Sequence, residues 1–364
     1  MDAALGKALF ERNWVAAPAS TTSADGLGPY YNARACAACH PGGGGSADPA
    51  HFNYLSADTR YGQTLQTRAT TGLAAEARVE LDYVPWQQLT LDDGHTLTLS
   101  RPALRVEALA QGALLGGVSA RQPPTLAGLA ALDRVDIATL QALADPDDNN
   151  GDGISGRVAW LADGQPGRFG WQANSTDLRA QVARALSLDL GLSTPELPAA
   201  AGDCSASQPE CLRAAGPDQE APEVSAQMLD LVLTWLHNLP PPPGPAGADA
   251  PGAQVFDAVG CSGCHVPRLP AGEQVLAAYT DVLLHDLGPG LAAQINSGAA
   301  QPGEWRTAPL WGLAQRQRYL HDGRAASLDE AIFWHGGEAA VSVEAYRALT
   351  AGRRALLRDW LLGL

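Results

Sequence analysis

A five-residue pattern occurs twice in this chain, as Cys36-Ala37-Ala38-Cys39-His40 and as Cys261-Ser262-Gly263-Cys264-His265. The chain has six cysteines, and these two copies use four of them. Two thiols three positions apart can add to the vinyl groups of a haem, and an imidazole directly after the second thiol is turned toward the iron. Two other chemistries compete. Paired Cys-x-x-Cys units also build tetrahedral zinc sites, and a single unit can serve as a dithiol redox pair. Zinc ribbons place their pairs closer together and need no histidine directly after the second cysteine. The repetition of that histidine favours two covalently bound haem c groups, held by Cys36, Cys39, Cys261 and Cys264 with His40 and His265 on the irons.

Several other residues carry donor atoms. Cys204 and Cys211 lie in GDCSASQPECLR, close in sequence with no histidine beside them. A local disulfide is the expectation, and it suits an oxidising compartment; two free thiols is the alternative. His51 follows His40 by eleven residues across a glycine-rich stretch. It either reaches back as a removable iron ligand or stays a loop histidine. DPDDNNGDGISGR sets Asp148, Asn150, Asp152 and Gly153 at the spacing that opens a calcium loop. Its twelfth position is Ala159 in place of glutamate, so a shortened calcium loop and a plain acidic turn both stay open. Arg306, flanked by Trp305 and Trp311, is a candidate partner for a haem propionate.

These residues need elements to hold them. Apolar periodicity predicts helices over 2–11, 136–144, 177–188 and 223–238. RVELDYV, LTLDDGHTLTLS and ALRVEAL alternate apolar and polar residues over 76–110, and Asp93-Gly94 marks a hairpin turn. PPPPGP at 240–245 cannot continue a helix and reads as a linker. Gly6-x-x-x-Phe10 precedes one CxxCH and Gly252-x-x-x-Phe256 the other, each on a short helix. RQPPTLAGL (121–129) is echoed by RTAPLWGL (306–313), and a helix opens after each, near Leu178 and Leu328. Ser327 with Glu330 forms a capping box for the second. The chain reads as a duplication, with one CxxCH for each half.

Composition narrows the partners. With 364 residues, 46% of them hydrophobic, the chain can bury a large core. The formal net charge is −15 and no Lys/Arg-rich run occurs, which argues against nucleic acid. No apolar run reaches membrane-spanning length. MDAALGKALFERNW has no leader pattern. Covalent haem attachment implies export, so a leader removed before residue 1 and a periplasmic location are expected.

DGLGPYYNARACAACH, DPDDNNGDGISGR, FGWQA, EWRTAPLWGL and YLHDGRAASLDEAIFWHGGEA together resemble the di-haem oxidoreductases grouped as peroxidases and also called thiol oxidoreductases. These are relatives of bacterial di-haem cytochrome c peroxidases and of the di-haem enzyme that matures methylamine dehydrogenase. The resemblance covers most of the chain. It implies an N-terminal haem that meets hydrogen peroxide and a C-terminal haem that handles electrons. Relatives place Met or Tyr on the C-terminal iron after the HDG turn and its helix. The matching stretch here, EAIFWHGGEA, offers His335, expected as the sixth ligand; a helix-end cap or a propionate contact is the alternative. Relatives place an acid–base glutamate after a Leu-x-x-Gln-x-Ala helix. Leu178 to Ala183 matches that helix, which puts Gln181 near the distal side and makes Asp189 the leading acid–base candidate, ahead of Asp133. Trp171 in FGWQA corresponds to an inter-haem aromatic, and His321 to a turn histidine near the haem edge.

The expectation is a mainly α protein of two tandem cytochrome c-like domains, 1–245 with a small β insert and 246–364. Its expected function is that of a peroxidase-like di-haem enzyme drawing on a redox partner protein. A di-haem electron carrier, or an enzyme oxidising a partner protein or a metal ion, are the alternatives.

Overall fold

The computed structural model describes residues 1–21, 23–216, 221–242 and 250–364. The chain folds as two compact units. The first holds 1–82, 103–126 and 178–239, and the second holds 83–102, 127–177 and 240–364. The domain boundary expected at 245, with the last three residues of the proline-rich linker, lies outside the described residues.

The helices are α1 (Asp2–Glu11), α2 (Cys36–Cys39), α3 (Ile137–Leu143), α4 (Leu178–Leu190), α5 (Pro209–Ala215), α6 (Ala226–His237), α7 (Pro251–Ala258), α8 (Leu328–Trp334), α9 (Ala340–Arg347) and α10 (Ala351–Leu362). The strands form two-stranded pairs: β1 (Tyr30–Tyr31) with β3 (Arg68–Ala69), β2 (Asn53–Ser56) with β6 (Val118–Arg121), β4 (Ala77–Thr90) with β5 (Thr96–Ala108), β7 (Leu269–Ala271) with β8 (Gln274–Leu276), and β9 (Leu284–Asp286) with β10 (Glu304–Arg306).

The expected mainly α architecture of tandem cytochrome c-like domains is corrected by this structure. Among the described residues, helix makes up 32% and strand 17%. The 39 glycines and 26 prolines interrupt helices and leave long turn and extended segments between them. The β4–β5 ribbon begins and ends in the first unit, while residues 83–102 belong to the second. There Leu89, Leu91 and Leu99 join the core that contains Phe256 and Trp360. Arg354, at the start of α10, ties down the hairpin tip through Asp93.

The duplication seen in the sequence has a packing counterpart. In the first unit Gly6 on α1 faces α6, where a Cβ would overlap the Leu231 carbonyl and crowd Trp235. In the second unit Gly252 on α7 faces α10, where a Cβ would overlap Trp360 and crowd the Leu356 carbonyl. Each glycine lets two helix backbones approach. Each phenylalanine four residues on then packs on the tryptophan of the facing helix. Phe10 lies 4.3 Å from Trp235, and Phe256 lies 5.1 Å from Trp360, between ring centroids. The helices α1 and α7 each precede a CxxCH in the chain, α7 with only Val259 and Gly260 between it and Cys261.

The turns before α4 and α8 also correspond. Phe169 bridges Ser175, and Tyr319 bridges Ala325. Positive φ falls at matching places, Gly170 (81°) with Leu320 (71°) and Ala173 (50°) with Gly323 (72°). At the start of α8, Ser327 Oγ accepts from Glu330 N at 3.1 Å, and the Glu330 carboxylate reaches back to Ala326 N at 3.0 Å.

Candidate functional site

In the first unit the CxxCH forms α2, a single turn that presents both thiols on half-buried residues, and neither is disulfide-bonded. His40 follows it. Its Nδ1 lies 3.0 Å from Pro124 O and 3.2 Å from Gly44 O. Only an N–H can donate to these carbonyls, so Nδ1 carries the hydrogen and Nε2 keeps its lone pair. Burial lowers the His40 pKa against these two hydrogen bonds, which keeps the ring neutral.

In the second unit Cys261–Gly263 form a short 3-10 turn after Gly260. His265 Nδ1 donates to Tyr279 O at 2.9 Å. Burial, with His335 adding to it, pushes His265 down to about 4. The ring is again neutral with Nε2 free. His335 stands directly after α8 and donates from Nδ1 to Ala331 O at 2.7 Å. Burial lowers its pKa as well. His265 and His335 line one cavity of about 200 Å³ with apolar walls that include Phe256, Leu287 and Leu313.

Arg306 and Arg316 line the same cavity. Arg306 is buried and donates to Gly170 O at 2.9 Å and Thr307 O at 3.1 Å. Burial lowers its pKa to about 10. Arg316 Nε is buried without a hydrogen-bond partner among the described residues. Trp171 and His321 also line the cavity. His321 stacks on Trp305 at 3.6 Å, and the Trp171 carbonyl accepts from Arg306 N at 3.0 Å.

These residues fit a haem. The thiols are unpaired, the imidazoles offer Nε2, the wall is apolar, and an unpartnered guanidinium nitrogen awaits an anion such as a propionate.

Asp189 lies near the end of α4, and its charge is felt by both Cys36 and Cys39. Burial raises its pKa to about 7, with Asn53 working against the rise. Its Oδ1 has no hydrogen-bond partner among the described residues, and neither does Gln181 Oε1 on the same helix. Asp133 belongs to the second unit, in a 3-10 turn where its charge supports Arg168. His51 directs Nδ1 to Ser46 Oγ at 3.2 Å.

The acidic loop turns its carboxylates onto its own backbone. Asp148 accepts from Gly153 N, Asn150 Oδ1 from Asp152 N, and Asp152 from Ile154 N. Among the described residues no group of three or more His, Cys, Asp or Glu side chains is arranged to hold a metal ion. Cys204 and Cys211 are joined as a disulfide.

Three further groups carry no motif in the sequence. His285 sits between Asp281 and Glu338 beside Cys264. Arg316 joins Arg306 at the cavity. Glu76 and Asp203 are further buried carboxyls of the first unit, raised by burial to about 8 and about 6. None of these has a fixed spacing from a CxxCH, so pattern reading could not single them out.

No curated protein matches the chain. Among solved structures, the hydrazine synthase of Kuenenia stuttgartiensis aligns with 45% of this chain and 63% of that one, at 20% identity and a TM-score of 0.29. The alignment thus spans less than two thirds of the hydrazine synthase chain. The family model described as "Di-haem oxidoreductase, putative peroxidase" matches residues 61–364. With that match over most of its length, this chain belongs to the di-haem oxidoreductase family.

Proposed function

We propose that the protein is a di-haem c-type oxidoreductase of the periplasm. It reacts with hydrogen peroxide beside His40 and exchanges electrons with a partner protein through the His265 site. The observation that carries this reading is the shared arrangement of the two CxxCH motifs. Each has unpaired thiols and a neutral histidine whose Nδ1–H is held by a backbone carbonyl. The family match begins after the first motif, so the N-terminal haem rests on this arrangement. The Cys204–Cys211 disulfide supports an oxidising compartment.

A bound haem supplies an iron that exchanges single electrons and coordinates peroxide. The chain supplies the rest. Asp189 can take a proton from one peroxide oxygen and return it to the other, and a pKa near neutrality suits both transfers. Gln181 Oε1 offers a buried acceptor for a peroxide O–H. Two sites of unlike reactivity are also supported by the register of the matching turns. It pairs Leu178 with Leu328, and so puts Ala185 where the second copy has His335. Ala185 has no donor atom, whereas His335 would offer Nε2 to a bound haem iron.

Rapid mixing with peroxide tests the reading. A change in the Soret band is expected, together with a high-spin signal from one haem in the ferric protein. A Soret band unmoved by peroxide in both ferric and half-reduced protein would refute it.

A further inference from the structure

The second unit buries a charged cluster that the peroxide reaction does not use. Asp281 is 2% exposed and His285 is 3% exposed. His285 donates from Nε2 to Asp281 Oδ2 and from Nδ1 to Glu338 Oε2, both at 2.8 Å. A carboxylate faces each ring nitrogen, so both nitrogens carry hydrogens and the ring is an imidazolium. Burial works against that charge, but the hydrogen bonds that His285 donates to Asp281 and Glu338 outweigh it and raise its pKa. Two carboxylates around one imidazolium give this triad a net negative charge, with the Arg306 guanidinium acting on Asp281 from the same cavity.

The surrounding chain is built to hold this group. Glu338 Oε1 accepts from Ser155 Oγ at 3.1 Å and Asp286 N at 2.9 Å, and Oε2 accepts from Ser155 N at 2.9 Å. Gly156 leaves room for the imidazole, since a Cβ there would overlap its ring. Gly337 takes φ +52° directly before Glu338 and packs on the Asp286 carbonyl. Arg157 and Leu284 exchange backbone hydrogen bonds of 3.0 and 2.9 Å, which fixes the Ser155–Arg157 strap beside His285. His285 Nδ1 lies 3.6 Å from Cys264 Sγ, the atom that would become a haem thioether. His285 and Glu338 both line the cavity of His265 and His335.

A buried net charge beside a redox centre shifts its potential, because the low dielectric screens it weakly. We propose that Asp281, His285 and Glu338 form a fixed charge clamp at Cys264 that holds down the reduction potential of the C-terminal haem. The clamp rests on the haem assignment above and is independent of the peroxide chemistry. These are positioning residues, since none of them is placed on the iron.

Optical redox titration of the full-length holoprotein, after a haem count, tests the clamp. Glu338→Gln removes one negative charge. It is expected to raise one midpoint potential by about tenfold in the one-electron equilibrium, ~59 mV, and to leave the other haem unmoved. Glu338→Asp keeps the charge and is expected to leave both potentials near their wild-type values. Ser155→Ala removes a hydrogen bond without removing charge and is expected to move neither potential. Two haems with both potentials unmoved in Glu338→Gln would overturn the clamp alone, as would an equal shift in Ser155→Ala. A wild-type count below two would overturn the haem assignment and the clamp with it. If Glu338→Gln fails to retain both haems, Asp281→Asn makes the same test, with the same upward shift expected and an unmoved potential overturning the clamp.

Discussion

Burial gives Asp189 an ionisation range that an exposed aspartate lacks. Its pKa is raised to about 7, so the carboxyl holds its proton below that pH and releases it above. Peroxide must first lose a proton, which requires the ionised form. The second-order rate with peroxide is therefore expected to rise as pH passes through about 7. Asp189→Asn should lower the rate by ~10²–10⁴-fold and flatten the profile, as stopped-flow measurements at several pH values will read. A variant with an unaltered profile would remove Asp189 from the reaction. His335 is tested separately. His335→Ala should keep the haem count and convert the C-terminal haem from low-spin to high-spin in its EPR spectrum, whereas an unchanged spectrum would make His335 a helix-end cap. The donor types at this scale were legible in the sequence, because cysteine and histidine spacing is a local property. The Asp281–His285–Glu338 cluster was not, because its members are brought together by a strand pair and two glycines far apart in the chain.

A tight helix crossing precedes each CxxCH in the chain. Gly252 meets Trp360 and the Leu356 carbonyl so closely that a Cβ has no room. Gly252→Ala is expected to destabilise the protein by ~1–3 kcal/mol through overpacking. Gly352, on α10, has open space where its Cβ would stand. Gly352→Ala should be neutral or stabilising by up to ~1 kcal/mol through helix propensity. Denaturant titrations of both variants check the contrast, and equal effects would mean that the crossing is not tight. The Gly-x-x-x-Phe repeat was visible in the sequence. Its purpose was not, because the facing Leu231-to-Trp235 and Leu356-to-Trp360 pairs lie a unit's length away. Helix ends were read well where capping or periodicity is strong, as at Ser327 and over 2–11. The β4–β5 ribbon was read from its alternation. The remaining strand pairs have strands of two to four residues, too short to leave a period.

Over the whole chain, the duplication was more legible than the architecture. Matching turns, matching glycine–phenylalanine crossings and matching histidine tethers all follow repeats that the sequence displays. The mainly α expectation rests on the amphipathic helices, whereas glycine- and proline-rich segments fill much of the chain between them. Those segments are fixed by isolated bridges and side-chain hydrogen bonds, such as Arg157 with Glu304 and Arg168 with Val135 O, which have no sequence period. The division of the ribbon and of 127–177 among the units is a long-range outcome of the same kind. The proposed function requires a porphyrin tethered at each CxxCH. Acid–acetone extraction followed by a pyridine haemochrome assay on the protein fraction tests that directly. The colour is expected to stay with the protein at two haems per chain; haem passing into the organic phase, or fewer than two remaining, would rule the tethering out.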